Sequence, residues 1–240
     1  PGAKHDAIKD FSFSVHSGEH IALIGVNGSG KSTILKLIMR LYSPSKGKIL
    51  INGQNIQDFN LLEYYSLFST MFQDAQVYSF SIAENIAMSS VIDKEKMRLC
   101  MNLSGLTEVV QKFPAKEETM LLKIVDDSGV ELSGGEVQKL AFARAIYKNA
   151  PIVLLDEPTA ALDAFSERKM FDAIHSFIEN RTSIVVTHKL SSLKDYDKII
   201  YIEMGELKEI GSHQELLSAQ GRYAKLFHKQ SDLYEKGVVQ

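Results

Sequence analysis

One cysteine in 240 residues excludes an internal disulfide, and Cys100 reads as a small apolar helix residue in a reducing compartment. Seven histidines show no metal-ligand spacing. No apolar stretch reaches the roughly 18 residues that a membrane span needs, and no signal-peptide pattern opens the sequence, so any membrane-crossing portion is expected outside these residues. Neither sign of charge dominates: 27 Lys and Arg against 30 Asp and Glu leave a net charge of −3, which argues against a broad nucleic-acid-binding surface. Internal repeats and low-complexity linkers are also missing. What is present is 45% hydrophobic residues, enough for a sizeable core in one large domain with a subdomain.

Gly25-Val26-Asn27-Gly28-Ser29-Gly30-Lys31-Ser32 is a complete P-loop. The apolar run Ile21 to Ile24 enters it as a strand, and a helical stretch from Thr33 to Leu41 leaves it. Gly25, Gly28 and Gly30, with Asn27 and Ser29 between them, let the backbone wrap phosphates. Lys31 neutralises the terminal phosphates, Ser32 can ligate Mg²⁺, and Thr33 adds a second hydroxyl on the same turn. The pattern predicts binding of a nucleoside triphosphate, but not which kind of NTPase this is.

Far downstream, Ile152-Val153-Leu154-Leu155-Asp156-Glu157 is too short for a helix and reads as a buried parallel strand ending in two carboxylates. Asp156 stands where a Walker B carboxylate holds the Mg²⁺ shell, and Glu157 where a group orients or deprotonates the attacking water. Leu132-Ser133-Gly134-Gly135-Glu136 precedes a helical run from Val137 to Tyr147. Ser133 and Glu136 form S-x-x-E, a capping box that would start any helix, while the glycines and the helix N-terminus could equally make a second phosphate site.

It is at this segment that the chain resembles the ATP-binding cassette (ABC) family, whose signature LSGGQ stands at this distance ahead of Walker B; Ala143-Arg144-Ala145 follows it here. The resemblance covers nearly the whole chain. It implies that Gln73, in Met71-Phe72-Gln73-Asp74, is the glutamine that senses Mg²⁺ and the γ-phosphate. It implies that His188, closing the strand-like Ser183 to His188, is the switch histidine at the γ-phosphate, and that Pro158 to Asp163 is the D-loop, carrying Asp163 toward an opposing subunit. The run Val77 to Ile86, with Ala83-Glu84-Asn85-Ile86, is similar to the exporter pattern of cassettes fused behind a membrane domain.

The implied fold is α/β: a P-loop NTPase core with a mostly parallel sheet, an antiparallel β portion and an inserted helical subdomain. The core is expected at 1–75 and 148–240, and the helical subdomain with the signature at 76–147. Implied partners are a second nucleotide-binding domain and transmembrane domains, at the cytoplasmic face of a membrane; no nucleic acid is expected. Two copies would sandwich two Mg·ATP, each held by the Walker motifs of one and Ser133, Gly134 and Gly135 of the other. A soluble ABC ATPase of DNA repair or translation is the alternative, but it would need a coiled-coil insertion or a tandem cassette. A non-hydrolysing binding module is disfavoured by the presence of Lys31, Asp156, Glu157 and His188.

Ala7 to Phe13 is similar to the segment that follows an adenine-stacking aromatic in exporters, and no aromatic precedes Pro1, so that platform is expected upstream, with His5 a poor substitute. Two segments depart from the family: Glu136 replaces the signature glutamine, and Val125-Asp126-Asp127-Ser128-Gly129 replaces the usual V-G-E-x-G. Elsewhere, Ile8 to Val15 alternates as a strand, Gly47 to Ile51 leads into an Asn52-Gly53 turn, and Ile199 to Ile202 pairs with Leu207 to Ile210 around Met204-Gly205-Glu206. Ser212 to Glu215 opens a C-terminal helix by another capping box, and the tail from Tyr223 is amphipathic or loose.

Overall fold

The computed structural model describes residues 6–124 and 127–235; His5, Val125 and Asp126 lie outside them. In chain order the elements are β1 His20–Gly25, α1 Lys31–Ile38, β2 Leu50–Ile51, β3 Gln54–Asn55, α2 Leu61–Ser66, β4 Phe68–Met71, α3 Ile82–Ala87, α4 Lys94–Leu103, α5 Thr107–Val110, α6 Gly134–Lys148, β5 Ile152–Asp156, α7 Ala164–Ile178, β6 Thr182–Val186, β7 Lys198–Glu203, β8 Glu206–Gly211, α8 His213–Ser218 and α9 Arg222–Glu235. They fall into two compact units. The first comprises Pro1–Phe68, Ile152–Asp156 and Arg181–Gln240, and the second Ser69–Pro151 and Glu157–Asn180.

In the first unit the strands run in the order β5-β6-β1-β7-β8, parallel except for β8, which returns antiparallel on β7. Parallel strands are covered on both faces, which is why their sequences are continuous apolar runs. Ile21, Ala22 and Leu23 of β1 and Val153, Leu154 and Leu155 of β5 are fully buried. The β7–β8 hairpin turns through Met204 and Gly205, both at positive φ, and the β2–β3 hairpin through Asn52 and Gly53 does the same. Two consecutive left-handed residues match the twist of the strands they join. α8 starts from the Ser212–Glu215 capping box, and the tail continues as α9. The Glu209 carboxylate on β8 accepts the backbone N–H groups of Arg222 and Tyr223, capping the start of that helix.

The sequence expectation of a strand over Ile8 to Val15 is corrected. The alternation is real, since the Phe11 and Phe13 rings meet edge-on at 5.4 Å, but among the described residues no neighbouring strand gives this segment a ladder. Instead the Lys9 N–H donates to Gly205 O at 2.8 Å, and Ala7 and Ile8 lie against Gly30 and Gly205, where added Cβ atoms would clash. An alternating pattern reports which way side chains point, not whether a partner strand exists.

The second unit is helical, and α3 and α4 pack on α6. Phe142 of α6 is fully buried and meets Phe177 of α7 edge-on at 5.9 Å. Asn85, fully buried on α3, ties down the loop ahead of that helix: it accepts from the Tyr78 N–H and donates to the carbonyls of Tyr78, Phe80 and Ser81. Arg144 of α6 donates to Asn85 O at 2.8 Å and Gln76 O at 3.2 Å. The exporter-like stretch is therefore shaped by an asparagine and an arginine that satisfy its carbonyls.

Candidate nucleotide site

The parallel register sets the site in the first unit. Leu23 pairs with Val186, and Asp156 with the same Val186, so β1, β5 and β6 end at one edge of the sheet. Gly25, Asp156 and the segment Thr187-His188 emerge there together. Open α/β sheets bind ligands at the carboxyl ends of their strands. Thr187 is buried, its N–H donates to Leu23 O at 3.3 Å, and its hydroxyl accepts the Lys189 N–H, which fixes the turn that carries the exposed His188.

The P-loop is built around backbone demands that only glycine meets. A Cβ on Gly25 would lie 2.1 Å from Ile202 O, so the loop must leave β1 without a side chain. Gly28 has φ +76 with open space at its Cβ position, leaving bare backbone there. Gly30 precedes α1 at φ +106, and no side chain caps that helix, so the first N–H groups of α1, with Ser32 and Thr33 in the same turn, point out of the helix end. Lys31 is buried and donates from Nζ to Gly25 O at 2.9 Å and Val26 O at 3.1 Å, bending the ammonium back over the loop. Ser29 Oγ is buried without a hydrogen-bond partner among the described residues. Bare backbone, uncapped amides, a folded-back cation and an orphaned hydroxyl fit a bound phosphate chain.

For a metal, this edge offers oxygen: the Ser32 hydroxyl and the buried Asp156 carboxylate. Among the described residues no group of three or more His, Cys, Asp or Glu could hold a metal ion. That donor set suits Mg²⁺, which binds through one or two protein oxygens, substrate phosphates and water.

The second unit brings the remaining predicted residues onto one loop and one helix start, with Gln73 exposed just beyond β4. Glu157, following Asp156 at the end of β5, is held at φ +49, a left-handed conformation that costs a non-glycine residue about 1 kcal/mol or more. Ser133 and Gly134 are exposed at the start of α6, whose helix begins at Gly134, three residues earlier than the sequence pattern suggested. The capping box is formed in full: Ser133 N and Oγ both donate to Glu136 Oε2 at 2.9 Å, and the Glu136 N–H donates back to Ser133 Oγ. Lys112 Nζ sits 3.6 Å from the other Glu136 oxygen. Burial pushes the Glu136 carboxyl up, but the hydrogen bonds from Ser133 and the Lys112 charge outweigh it and hold the group below its ordinary value. The anion that replaces the signature glutamine is thus turned back on its own cap.

The glycines of the signature also admit the D-loop. A Cβ on Gly135 would meet Leu162 Cδ2 at 3.1 Å and Ala161 O at 3.2 Å, whereas one on Gly134 would make an ordinary 3.6 Å contact with Ala161 Cβ. Asp163 N-caps α7, accepting the N–H groups of Phe165 and Ser166 at 3.0 Å each. Sequence reasoning passed over Gln138, a buried glutamine of α6 that accepts the Ala161 N–H at 3.0 Å and reaches Glu157 O at 3.5 Å. Its signal was a polar residue in the stripe of Ala141 and Ala145.

The fold and this edge define a P-loop nucleotide-binding domain. Comparison with known proteins then fixes the class further. The ABC transporter family matches residues 8–160. The chain is 40% identical over 232 residues to an ATP-dependent lipid A-core flippase of Methylobacillus flagellatus, covering 96% of this chain and 39% of that protein. It is also 40% identical over 219 residues to a protein of the same name from Paraburkholderia xenovorans, 91% and 36% of the two lengths. A bacterial Atm1-family ABC exporter with ATP bound shares the fold with a TM-score of 0.87 at 32% identity, over 96% of this chain and 40% of that one. The chain thus spans about two fifths of the length of these relatives. It belongs to the ABC transporter family, as an ATPase domain of the exporter-like branch. Among the described residues no helix is long and apolar enough to cross a membrane.

Proposed function

We propose that this chain is the ATP-hydrolysing motor of an exporter, working as one of two nucleotide-binding domains beneath transmembrane domains at the cytoplasmic face of a membrane. The observation that carries the reading is the register that ends β1, β5 and β6 together, delivering the P-loop, Asp156 and His188 to one edge. Relatives that are exporters favour it over a soluble ABC ATPase.

The backbone of Gly25, Asn27, Gly28, Ser29 and Gly30 and the start of α1 bind the phosphates of ATP, and Lys31 swings its ammonium from the loop carbonyls onto the terminal phosphates. Ser32 and Asp156 would hold Mg²⁺, Gln73 is assigned as a further group that senses it, and Thr33 supports the same turn. The ion, when bound, neutralises charge that builds on the phosphates during transfer. Glu157 orients and deprotonates the attacking water, and His188 steadies the γ-phosphate. Ser133, Gly134 and Gly135 serve the nucleotide of a second copy, and Asp163 sits on the loop that faces it. The membrane portion selects the cargo, since relatives named as lipid A-core flippase and as Atm1-family exporter share this domain's fold or sequence.

The test is Glu157→Gln. Nucleotide binding stays intact while hydrolysis slows by about 10² to 10⁴. ATP then persists, and because only the dimer binds it in full, dimer accumulates by mass action. Light scattering with Mg·ATP reads this as a doubled mass, reversed by adding Ser133→Arg. Undiminished turnover would sink the assignment.

A further inference from the structure

Glu157 has a backbone conformation that its residue type resists, so something must hold it there. The loop that follows it closes on itself through the Ala160 N–H to Glu157 O at 3.3 Å and the Leu162 N–H to Thr159 O at 3.2 Å. These two weak turns leave the Ala161 N–H to be satisfied from elsewhere. Gln138 satisfies it. The Ala161 amide is a donor only, so the side-chain oxygen of Gln138 must face it, at 3.0 Å, and this orients the NH₂ toward Glu157 O at 3.5 Å. One buried side chain on α6 thus spans both ends of the loop, from the glutamate proposed to handle the water to the residue two before Asp163.

The same first turns of α6 carry Ser133, Gly134 and Gly135, and Gly135 packs against Ala161 O and Leu162. We propose that Gln138 is a positioning residue for hydrolysis: it fixes Glu157 relative to the start of the signature helix, so that occupation of Ser133–Gly135 by a second copy's nucleotide is transmitted to the water-activating carboxylate of this copy. The proposal rests on the reading of Glu157 given above. Gln138 touches neither substrate nor reacting atoms; it acts through the backbone of Glu157 and Ala161.

The experiment measures ATP binding and steady-state hydrolysis by the 240-residue chain carrying Gln138→Met, which keeps volume and unbranched shape but removes both hydrogen-bonding groups. Misplacing a catalytic group by a fraction of an ångström is expected to lower kcat by about tenfold or more. KM should stay within about twofold, because nucleotide binding is not what Gln138 supports. In a Glu157→Gln background the same change should cost less than about twofold, since the group it positions is already gone. Gln138→Glu keeps the acceptor for Ala161 and loses the donor toward Glu157; it should lose kcat similarly, and it carries the test if the methionine variant does not fold. Unchanged kcat, a rise in KM that accounts for the loss, or an equal loss in the Glu157→Gln background would each overturn the positioning role. Hydrolysis at the parent rate by Glu157→Gln alone would overturn the reading of Glu157 first, and the positioning role with it.

Discussion

Replacing Gly134 by alanine separates the two meanings of the signature segment. As the first residue of α6 it has a helical backbone, and its added Cβ would meet Ala161 Cβ at an ordinary 3.6 Å. Alanine in a helix is favoured over glycine by about 0.5–1 kcal/mol, so the folded chain should gain slightly. For a domain of this size that is about 1–4 °C in Tm, or somewhat less at the frayed first turn. Gly135→Ala is the internal contrast: its Cβ would press on Leu162 and Ala161 at 3.1 and 3.2 Å, so a few tenths of an ångström of movement offset the same gain. If Ser133–Gly135 is a phosphate site for a second copy, however, the methyl at exposed Gly134 occupies the approach. In the Glu157→Gln background, light scattering with Mg·ATP should show loss of the dimer for both variants, while calorimetry shows Gly134→Ala at least as stable as its parent. A Gly134→Ala chain that dimerises with ATP as the parent does would reduce the segment to a helix start. A fall in Tm of more than a few degrees would mean that the helix start packs differently.

Lys31→Ala removes the cation that bends over the loop carbonyls and should weaken ATP binding and hydrolysis together; parent-rate hydrolysis would show that Lys31 does not face the phosphates. Glu136→Gln removes a carboxylate near the start of α6, so the ATP concentration needed to form the dimer should fall by about two- to fivefold, the equivalent of a 0.3–1 kcal/mol charge effect at a helix end. The same variant carries a pH signature. Because hydrogen bonds from Ser133 and the Lys112 charge outweigh burial, the folded pKa of Glu136 lies below its ordinary 4.5. Its contribution to stability is therefore complete above 4.5 and lost as pH falls through the lowered value. Acid unfolding curves should show a smaller loss in that window for Glu136→Gln, and identical acid limbs would refute the coupling.

The parts of the site that depend on local backbone chemistry were legible in the sequence. The P-loop glycines, the β5 run into Asp156 and the S-x-x-E caps at Ser133 and Ser212 each encode their own geometry within a few residues, and the structure forms both of those capping boxes as written, with a third, which sequence reasoning passed over, at Ser81. The strand expected over Ile8 to Val15 failed because pairing depends on a distant neighbour that no local pattern names. The roles of Asn85, Arg144 and Gln138 were hidden for the same reason: they satisfy backbone groups across 4 to 68 residues of sequence, and only the folded chain shows which groups need them. The negative charge of Glu136 looked like a cost at a phosphate site. Its partners, Ser133 on the same turn and Lys112 more than twenty residues away, make it part of the cap as well, so the charge carries both roles.

One consequence of this arrangement concerns communication between two nucleotides. In the proposed dimer, Ser133–Gly135 meets the second copy's ATP, yet the same helix start is bonded to the backbone that presents Glu157 to the first copy's own ATP. Glycines that let the D-loop approach within van der Waals contact leave little slack between the two, and a close-packed contact transmits displacement better than it absorbs it. Hydrolysis at one site is then expected to depend on whether the other face of the same unit is engaged, which predicts a rate rising more steeply than linearly with chain concentration. A specific activity that stays constant over a wide concentration range at saturating Mg·ATP would show that the isolated chain completes its active centre alone, and would remove the need for the second copy.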